Sequence, residues 1–459
     1  MKKDLLLALG VTIATLAISL AGIRLFMPQL LRIAPDLQVV ELDERIPAFY
    51  ENVFNAKSDW HEDGYLYNDP ITMVRAPPFY PDLVEAGPND VLGFRNRSVP
   101  NVADIIAIGD SQTYGNNAPL EGNWPSWMRK AIAEKRPIVY AMATGGWGAV
   151  QYLDMFRHAM RFQPRIVIVA FYTGNDSLDS FQAAYNIEQW SSLRVDPSLD
   201  KTAMSSIIVP KAAEDLWPVW FRDGVKTVFT PGRRLASNDT SNSAARVGYE
   251  IMAEAARTIA AEASGKTRVV MTIIPTKELV YAPRLEQEKI ALPPRFSNLI
   301  QAEKLNIQRL SATLKGLADV IYVDVVAPLQ RAALGSEQLY PDNDSGHPAE
   351  GGYKVIGDAV ARTVAPLIPD SPQGLVAVMD ESQQHYQLYL VTEGDLWDIN
   401  DTKVLEANGW SGDEQPMTVM EHDLAGLRRR GPLSEVDPAR FGPNVDYART
   451  RTPFQTPDS

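Results

Sequence analysis

From Ala103 to Val364 the chain alternates short apolar runs with longer segments of helical spacing, and this alternation limits the folds open to it. The apolar runs are Ala103–Ile108, Ile138–Ala143, Arg165–Phe171, Arg268–Ile274 and Val320–Val326. Their unbroken hydrophobicity is that of strands buried on both faces, as in a parallel sheet, rather than the alternation of a half-exposed one. Between them lie helical patterns over Trp124–Lys135, Val150–Phe162, Ala244–Ala263, Leu299–Leu317 and Gly352–Val364. The expectation is a three-layer α/β/α domain over 101–368 with a five-stranded parallel sheet and helices on both faces. In such a sheet the chemistry belongs at the carboxyl ends of the strands.

The rest of the chain divides around this unit. Residues 1–27 begin Met1-Lys2-Lys3-Asp4 and continue as an uncharged apolar run from Leu5 to Ile23. As a helix that run reaches about 28 Å, one hydrocarbon thickness. A cleaved signal peptide with its site near Ser19-Leu20-Ala21 is the competing reading. The run is longer than the usual signal core and apolar residues continue past that site, so a retained transmembrane helix is expected, with its N-terminus cytoplasmic and the catalytic domain exported. Residues 28–100 are rich in proline and aromatics and read as a stem or wrapping segment, with a helix possible near 37–54. Residues 177–242 interrupt the α/β pattern as an insertion containing Trp190, Trp217 and Trp220. Residues 369–459 form a C-terminal extension, expected to open with a hairpin (374–380, then 385–391) and to end in a loose or partner-bound tail carrying Arg428-Arg429-Arg430.

Charge and composition remove several function classes. The net charge of −13 is spread without a basic block, so no nucleic-acid partner is expected. The chain has no cysteine, which excludes disulfides, thiolate metal sites and a cysteine nucleophile. The histidines have no companions at ligand spacing, so neither a metal site nor a cofactor is implied.

Three short runs carry chemistry. Gly109-Asp110-Ser111-Gln112-Thr113-Tyr114-Gly115 follows the first strand directly. Ser111 stands in a glycine-flanked turn there, either as a nucleophile or as an ordinary helix N-cap. Gly174-Asn175-Asp176 follows the third strand; Asn175 is either an oxyanion donor or a turn residue. Asp344-Ser345-Gly346-His347-Pro348 precedes the last helix. Of the 5 histidines, His61 falls in the stem, His158 in a helix, His385 on an expected strand and His422 in the extension, whereas His347 stands in a loop with Asp344 three residues before it. That spacing would let Asp344 orient the imidazole as a general base. The glycines of Thr144-Gly145-Gly146-Trp147-Gly148 permit close backbone approach to a ligand.

Taken in order, these blocks resemble the SGNH (GDSL) hydrolase family over about residues 90–365. Gly109–Gly115 matches its first block, Gly174–Asp176 its third and Asp344–Pro348 its fifth, and the run from Asp90 to Asn96 is similar to what often precedes the first. Ala141 stands where the second block often has asparagine, and Gly146 holds its oxyanion-glycine position. The resemblance implies a flavodoxin-like domain with Ser111 as nucleophile, His347 as base and Asp344 as orienter. It also implies an oxyanion hole from the Ser111 N–H, the Gly146 N–H and the Asn175 amide.

The family includes esterases, thioesterases and O-acyltransferases, so fold does not select the substrate. An exported, tethered serine ester hydrolase is expected, acting on an acyl or acetyl ester that a polysaccharide could carry. An O-acyltransferase working with a membrane-protein partner is the alternative, and a scaffold that retains the fold is a third. The runs Ile274–Tyr281 and Leu339-Tyr340-Pro341 are similar to the alginate-type acetyltransferase branch. That branch carries Asp-Thr-His-Trp where this chain has Asp-Ser-Gly-His-Pro, a departure that favours hydrolysis.

Overall fold

A computed structural model describes residues 66–433, apart from 70, 84–85, 101–102, 136, 163, 369–373, 380–385, 393–394, 405–415, 420–423 and 425–426. The expected transmembrane helix in 1–27, the helix near 37–54 and the tail beyond 433 lie outside the described residues. Among the described residues no helix is long and apolar enough to cross a membrane.

A hairpin of β1 (Tyr67–Asp69) and β2 (Met73–Arg75) opens the described chain. The main sheet follows: β3 (Ile105–Gly109), β4 (Val139–Ala143), β5 (Ile166–Tyr172), β8 (Arg268–Ile274) and β9 (Val320–Val323). Their spatial order is β4-β3-β5-β8-β9, and every pairing is parallel. The five-stranded parallel sheet is the one expected from the sequence, and its order is doubly wound, with β3 and β5 adjacent where the winding reverses direction.

Side-chain alternation along the strands separates two apolar layers. Ile106, Ile108, Val167 and Val169 join α3 (Ala149–Ala159), α4 (Asp176–Asn186) and α6 (Ser243–Ala263) on one face. Ile105, Ala107, Ile166 and Ile168 join α2 (Trp124–Ala131), α7 (Lys277–Gln287), α9 (Val326–Ala333) and α10 (Glu350–Val364) on the other. β5 lies between β3 and β8 and is buried along its whole length, which is why its β-branched run gave the clearest strand signal.

Helix starts follow from local side chains. Asn123 Oδ1 accepts from the Ser126 N–H at 2.9 Å to open α2, and Asn242 Oδ1 accepts from the Ala244 N–H at 2.9 Å to open α6. Packing of α6 on α4 requires Gly248, because a Cβ there would lie 1.8 Å from the Ser177 carbonyl oxygen. Gly248→Ala is therefore expected to destabilise the fold by about 3 kcal/mol, read as a lower midpoint in thermal unfolding. An unchanged midpoint would mean that the two helices separate without penalty.

The insertion is structured. It holds α4, a second hairpin of β6 (Trp217–Trp220) and β7 (Lys226–Phe229), and α5 (Pro231–Asn238). Between α6 and β9 runs α8 (Pro294–Lys315). At the C-terminus, β10 (Gly374–Met379) and β11 (Tyr386–Thr392) form the expected hairpin. β12 (Asp395–Ile399), β13 (Met417–Val419) and β14 (Arg428–Pro432) extend it to five strands in the order β13-β10-β11-β12-β14. Leu375, Leu390, Ile399 and Leu433 from this sheet join the apolar layer of α3, α4 and α6. The arginine triplet, read from sequence as part of a loose end, lies in β14, where Arg430 Nε is 2.9 Å from Asp395 Oδ2.

Candidate active site

Three strand ends converge on one place. Past β3, Asp110 caps a single helical turn α1 (Ser111–Tyr114), its carboxylate accepting from the Gln112 N–H at 2.9 Å. The turn ends at Gly115 with φ +90°, a left-handed conformation that a side chain would strain. Past β4, Gly146 takes φ +74° and is exposed, while the neighbouring Trp147 is fully buried and donates its indole N–H to the Val74 carbonyl at 2.7 Å. Past β5, Asn175 opens α4 and donates through Nδ2 to Asp179 Oδ2 on the same helix.

The decisive contact joins two loops 236 residues apart: His347 Nε2 lies 2.7 Å from Ser111 Oγ. The loop carrying His347 is held from below by Lys277, a fully buried residue at the start of α7. Its Nζ donates to the carbonyls of Asn343 at 2.9 Å and Ser345 at 2.8 Å. Those two anchors turn the backbone on either side of residue 344 toward the protein, and the Asp344 side chain is exposed. No hydrogen bond or ion pair joins Asp344 to His347 among the described residues. Instead Ser345 Oγ stands 3.2 Å from His347 Nδ1. The structure thus brings Ser111 and His347 together, sets Gly146 and Asn175 on the adjacent strand-end loops, and leaves Asp344 facing out. His158, the other described histidine, is buried on α3, with Asp154 Oδ1 3.8 Å from its Nε2.

Electrostatics around the pair are unusual. Burial, with the Arg234 and Lys277 charges adding to it, pushes His347 down to about 3, so the imidazole stays neutral. Burial raises Asp110 to about 7 and Asp179 to about 7, the latter opposed by the bond from Asn175. Asp176, buried beside Asp110, is driven well above the usual carboxylate range by burial and by that neighbouring charge. Glu303 accepts from Thr173 Oγ1 at 2.5 Å and from the Thr276 N–H at 2.8 Å, fastening the loops after β5 and β8 to each other.

Several supporting residues were not singled out by sequence reasoning. Lys277 was quoted within a run but given no role, and Ser345 was passed over for the carboxylate beside it. Asn96 was noted only as the end of a motif. Its side chain accepts from the Ala141 N–H at 3.1 Å and donates to the Ala141 carbonyl at 2.9 Å, supporting β4 at the position where a family asparagine is absent. The insertion tryptophans separate by burial. Trp190 is buried and donates to the Ile71 carbonyl, Trp217 packs edge-on to Phe296 with ring centroids 5.1 Å apart, and Trp220 is 62% exposed.

Residues 107–355 match the family model of GDSL-like lipases and acylhydrolases, more than half of the chain. The chain belongs to the GDSL-like lipase/acylhydrolase family. It is accordingly a serine esterase of the GDSL/SGNH type. Among solved structures it is similar to a GDSL-like lipase from Bacteroides thetaiotaomicron, at 13% identity and a TM-score of 0.31, covering 57% of this chain and 87% of that one. It is also similar to a carbohydrate acetylesterase family member from Sinorhizobium meliloti, at 11% identity and a TM-score of 0.31, covering 58% of this chain and 99% of that one. No curated protein matches the chain in sequence.

Proposed function

We propose that this GDSL-family enzyme is an exported, membrane-tethered hydrolase that removes acyl groups, acetyl foremost, from a polysaccharide, using Ser111 and His347. The observation that carries the chemistry is the 2.7 Å contact between Ser111 Oγ and His347 Nε2 at the carboxyl edge of the sheet. Ser111 Oγ attacks the ester carbonyl carbon while His347 Nε2 takes its proton. The oxyanion is met by the N–H groups of Ser111 and Gly146 and by the Asn175 side-chain amide. The tetrahedral intermediate collapses as the imidazolium returns that proton to the leaving alkoxide. Water, deprotonated by the same nitrogen, then attacks the acyl-enzyme, releasing the carboxylic acid and restoring Ser111. Held neutral by burial and by the Arg234 and Lys277 charges, His347 is in the protonation state that can accept a proton.

The tether rests on the apolar run Leu5–Ile23. The polysaccharide rests on Trp220 at the tip of the β6–β7 hairpin. That hairpin is tied to the catalytic loop region by Lys226, whose Nζ is 3.5 Å from Asp342 Oδ2 and whose carbonyl accepts from Gln338 Nε2 at 2.8 Å. An exposed indole held there can stack on a sugar ring, a contact worth about 1 kcal/mol. Trp220→Ala is then expected to raise KM about fivefold on an acetylated polysaccharide while leaving a small chromogenic acetyl ester unaffected. Equal effects on both substrates would remove the stacking role.

The overall reading is tested by acetyl-ester turnover with the purified full-length protein, alone and with deacetylated polysaccharide added. Free acetate as the product supports hydrolysis. Acetyl accumulating on the added acceptor would assign the enzyme to acyl transfer instead.

A further inference from the structure

We propose that Arg234 makes this enzyme selective for substrates that carry a carboxylate close to the scissile ester. The proposal rests on the reading of Ser111 and His347 as nucleophile and base, and it narrows the substrate to an anionic one. Arg234 lies on α5, in the insertion, and its guanidinium reaches the loop that carries His347. A Cβ at Gly346 would collide with Arg234 Nη2 and stand 3.1 Å from Tyr172 Oη, so the glycine leaves room for both groups. Gly346 directly precedes His347, about 3.8 Å away between Cα atoms. The guanidinium carbon also lies 6.0 Å from the centre of the Tyr172 ring, at the end of β5. The cation therefore belongs to the strand-end cluster that holds the nucleophile and the base.

What the guanidinium lacks is a partner. Among the described residues no hydrogen bond or ion pair reaches it. Its Nε is sealed from solvent without an acceptor, while the residue as a whole keeps part of its surface open. The Tyr172 hydroxyl beside it is buried and unpartnered too. Burial opposes the Arg234 charge, but the neighbouring Tyr172, Glu278, Glu303 and Asp110 outweigh it, so the cation persists. Those carboxylates act through space and are engaged elsewhere. Glu278 Oε1 accepts from the Thr230 N–H at 2.8 Å, Glu303 Oε2 from Thr276 Oγ1 at 2.6 Å, and Asp110 Oδ1 from the Gln112 N–H at 2.9 Å. A charge withdrawn from water without hydrogen bonds is costly, and free guanidinium N–H groups match the two oxygens of a carboxylate. Burial also keeps the Tyr172 phenol protonated, which adds an O–H donor at the same place. Arg234 is thus a specificity residue, reading a charge on the substrate next to the reacting bond.

The test uses two ester pairs, each matched except for charge, with the full-length protein at about pH 8, where His347 is neutral with or without the Arg234 cation. The p-nitrophenyl esters of butyrate and of succinate (the half-ester) place the carboxylate on the acyl side. An O-acetylated methyl glucuronoside, as the free acid and as its neutral carboxamide, places it on the alcohol side. In at least one pair the wild type is expected to favour the anion about 10-fold or more in kcat/KM, after subtraction of the uncatalysed rate, and Arg234→Gln to lose that preference. The pair that responds shows which side of the ester bears the charge. Arg234→Lys keeps the charge without the fork and should retain part of the preference. Equal rates within both pairs in the wild type, or a preference unchanged in Arg234→Gln, overturn the proposal. If Arg234→Gln does not fold, Arg234→Lys decides: a preference reduced about threefold or more upholds it, and an unchanged one overturns it. Failure of the underlying reading has a different signature, because Ser111→Ala would then keep its turnover on the neutral esters.

Discussion

Ser111→Ala is expected to lower kcat/KM on an acetyl ester by about 10⁴-fold or more, with KM within a factor of about two. The loss falls on kcat because the hydroxyl contributes a bond that exists only beyond the ground state. His347→Ala should cost nearly as much, and the double variant no more than the worse single one. Groups that act as one unit are not additive, and the 2.7 Å contact makes these two a unit. Rates measured with and without a fluorophosphonate block separate this from background hydrolysis. Residual turnover in Ser111→Ala above about 1% of wild type, or losses that simply multiply in the double variant, would mean that the two side chains work independently. Thermal unfolding of each variant guards against a trivial cause.

The fold was legible where one face of an element meets the core over its whole length. β5 and β8 were read within a residue because β5 is apolar along its whole length and β8 is buried at every position after Arg268. The helices missed were those whose sequence does not advertise them. α7 contains Pro283, and α5 begins Pro-Gly and runs through polar residues, so neither has an apolar stripe of ordinary length. α4 was hidden by the assignment of everything past Asp176 to an insertion. The C-terminal sheet went largely unread because its strands are short and two of its pairings are parallel, joining segments distant in sequence. Ser111 and His347 were each ambiguous from their own loops, and only the joint resemblance of the blocks to a family pattern paired them; in the structure their side chains lie 2.7 Å apart. The position of Asp344 was not legible, because it depends on Lys277, a residue 67 places earlier in the chain that reaches into the loop from beneath. Spacing reports which side chains can meet, and packing from elsewhere decides which do.

Lys277→Met carries the second large effect, and its sign in pH can be worked out. The substitution keeps the apolar stem but removes both hydrogen bonds to the loop, leaving the carbonyls of Asn343 and Ser345 without their donor. Bonds to a charged donor are worth about 1.5–3 kcal/mol each, and the loop they fix carries the base, so a kcat loss of about 100-fold is expected. The pH profile adds a second readout. His347 is held low first by burial, then by the charges of Arg234 and Lys277. A neutral imidazole is the active form, so the acid limb of kcat/KM in the wild type should lie well below the ordinary histidine value of 6.5. Removing the Lys277 cation makes the imidazolium less unfavourable, which raises the pKa of His347 and moves that limb to higher pH. Burial and Arg234 remain, so the shift stops short of the ordinary value. Lys277 is itself lowered to about 8 by burial, so its charge acts on His347 fully only below that pH. The difference between wild type and variant should therefore widen as the solution is acidified. A variant with normal kcat and an unmoved acid limb would show that the loop holds His347 without its buried anchor.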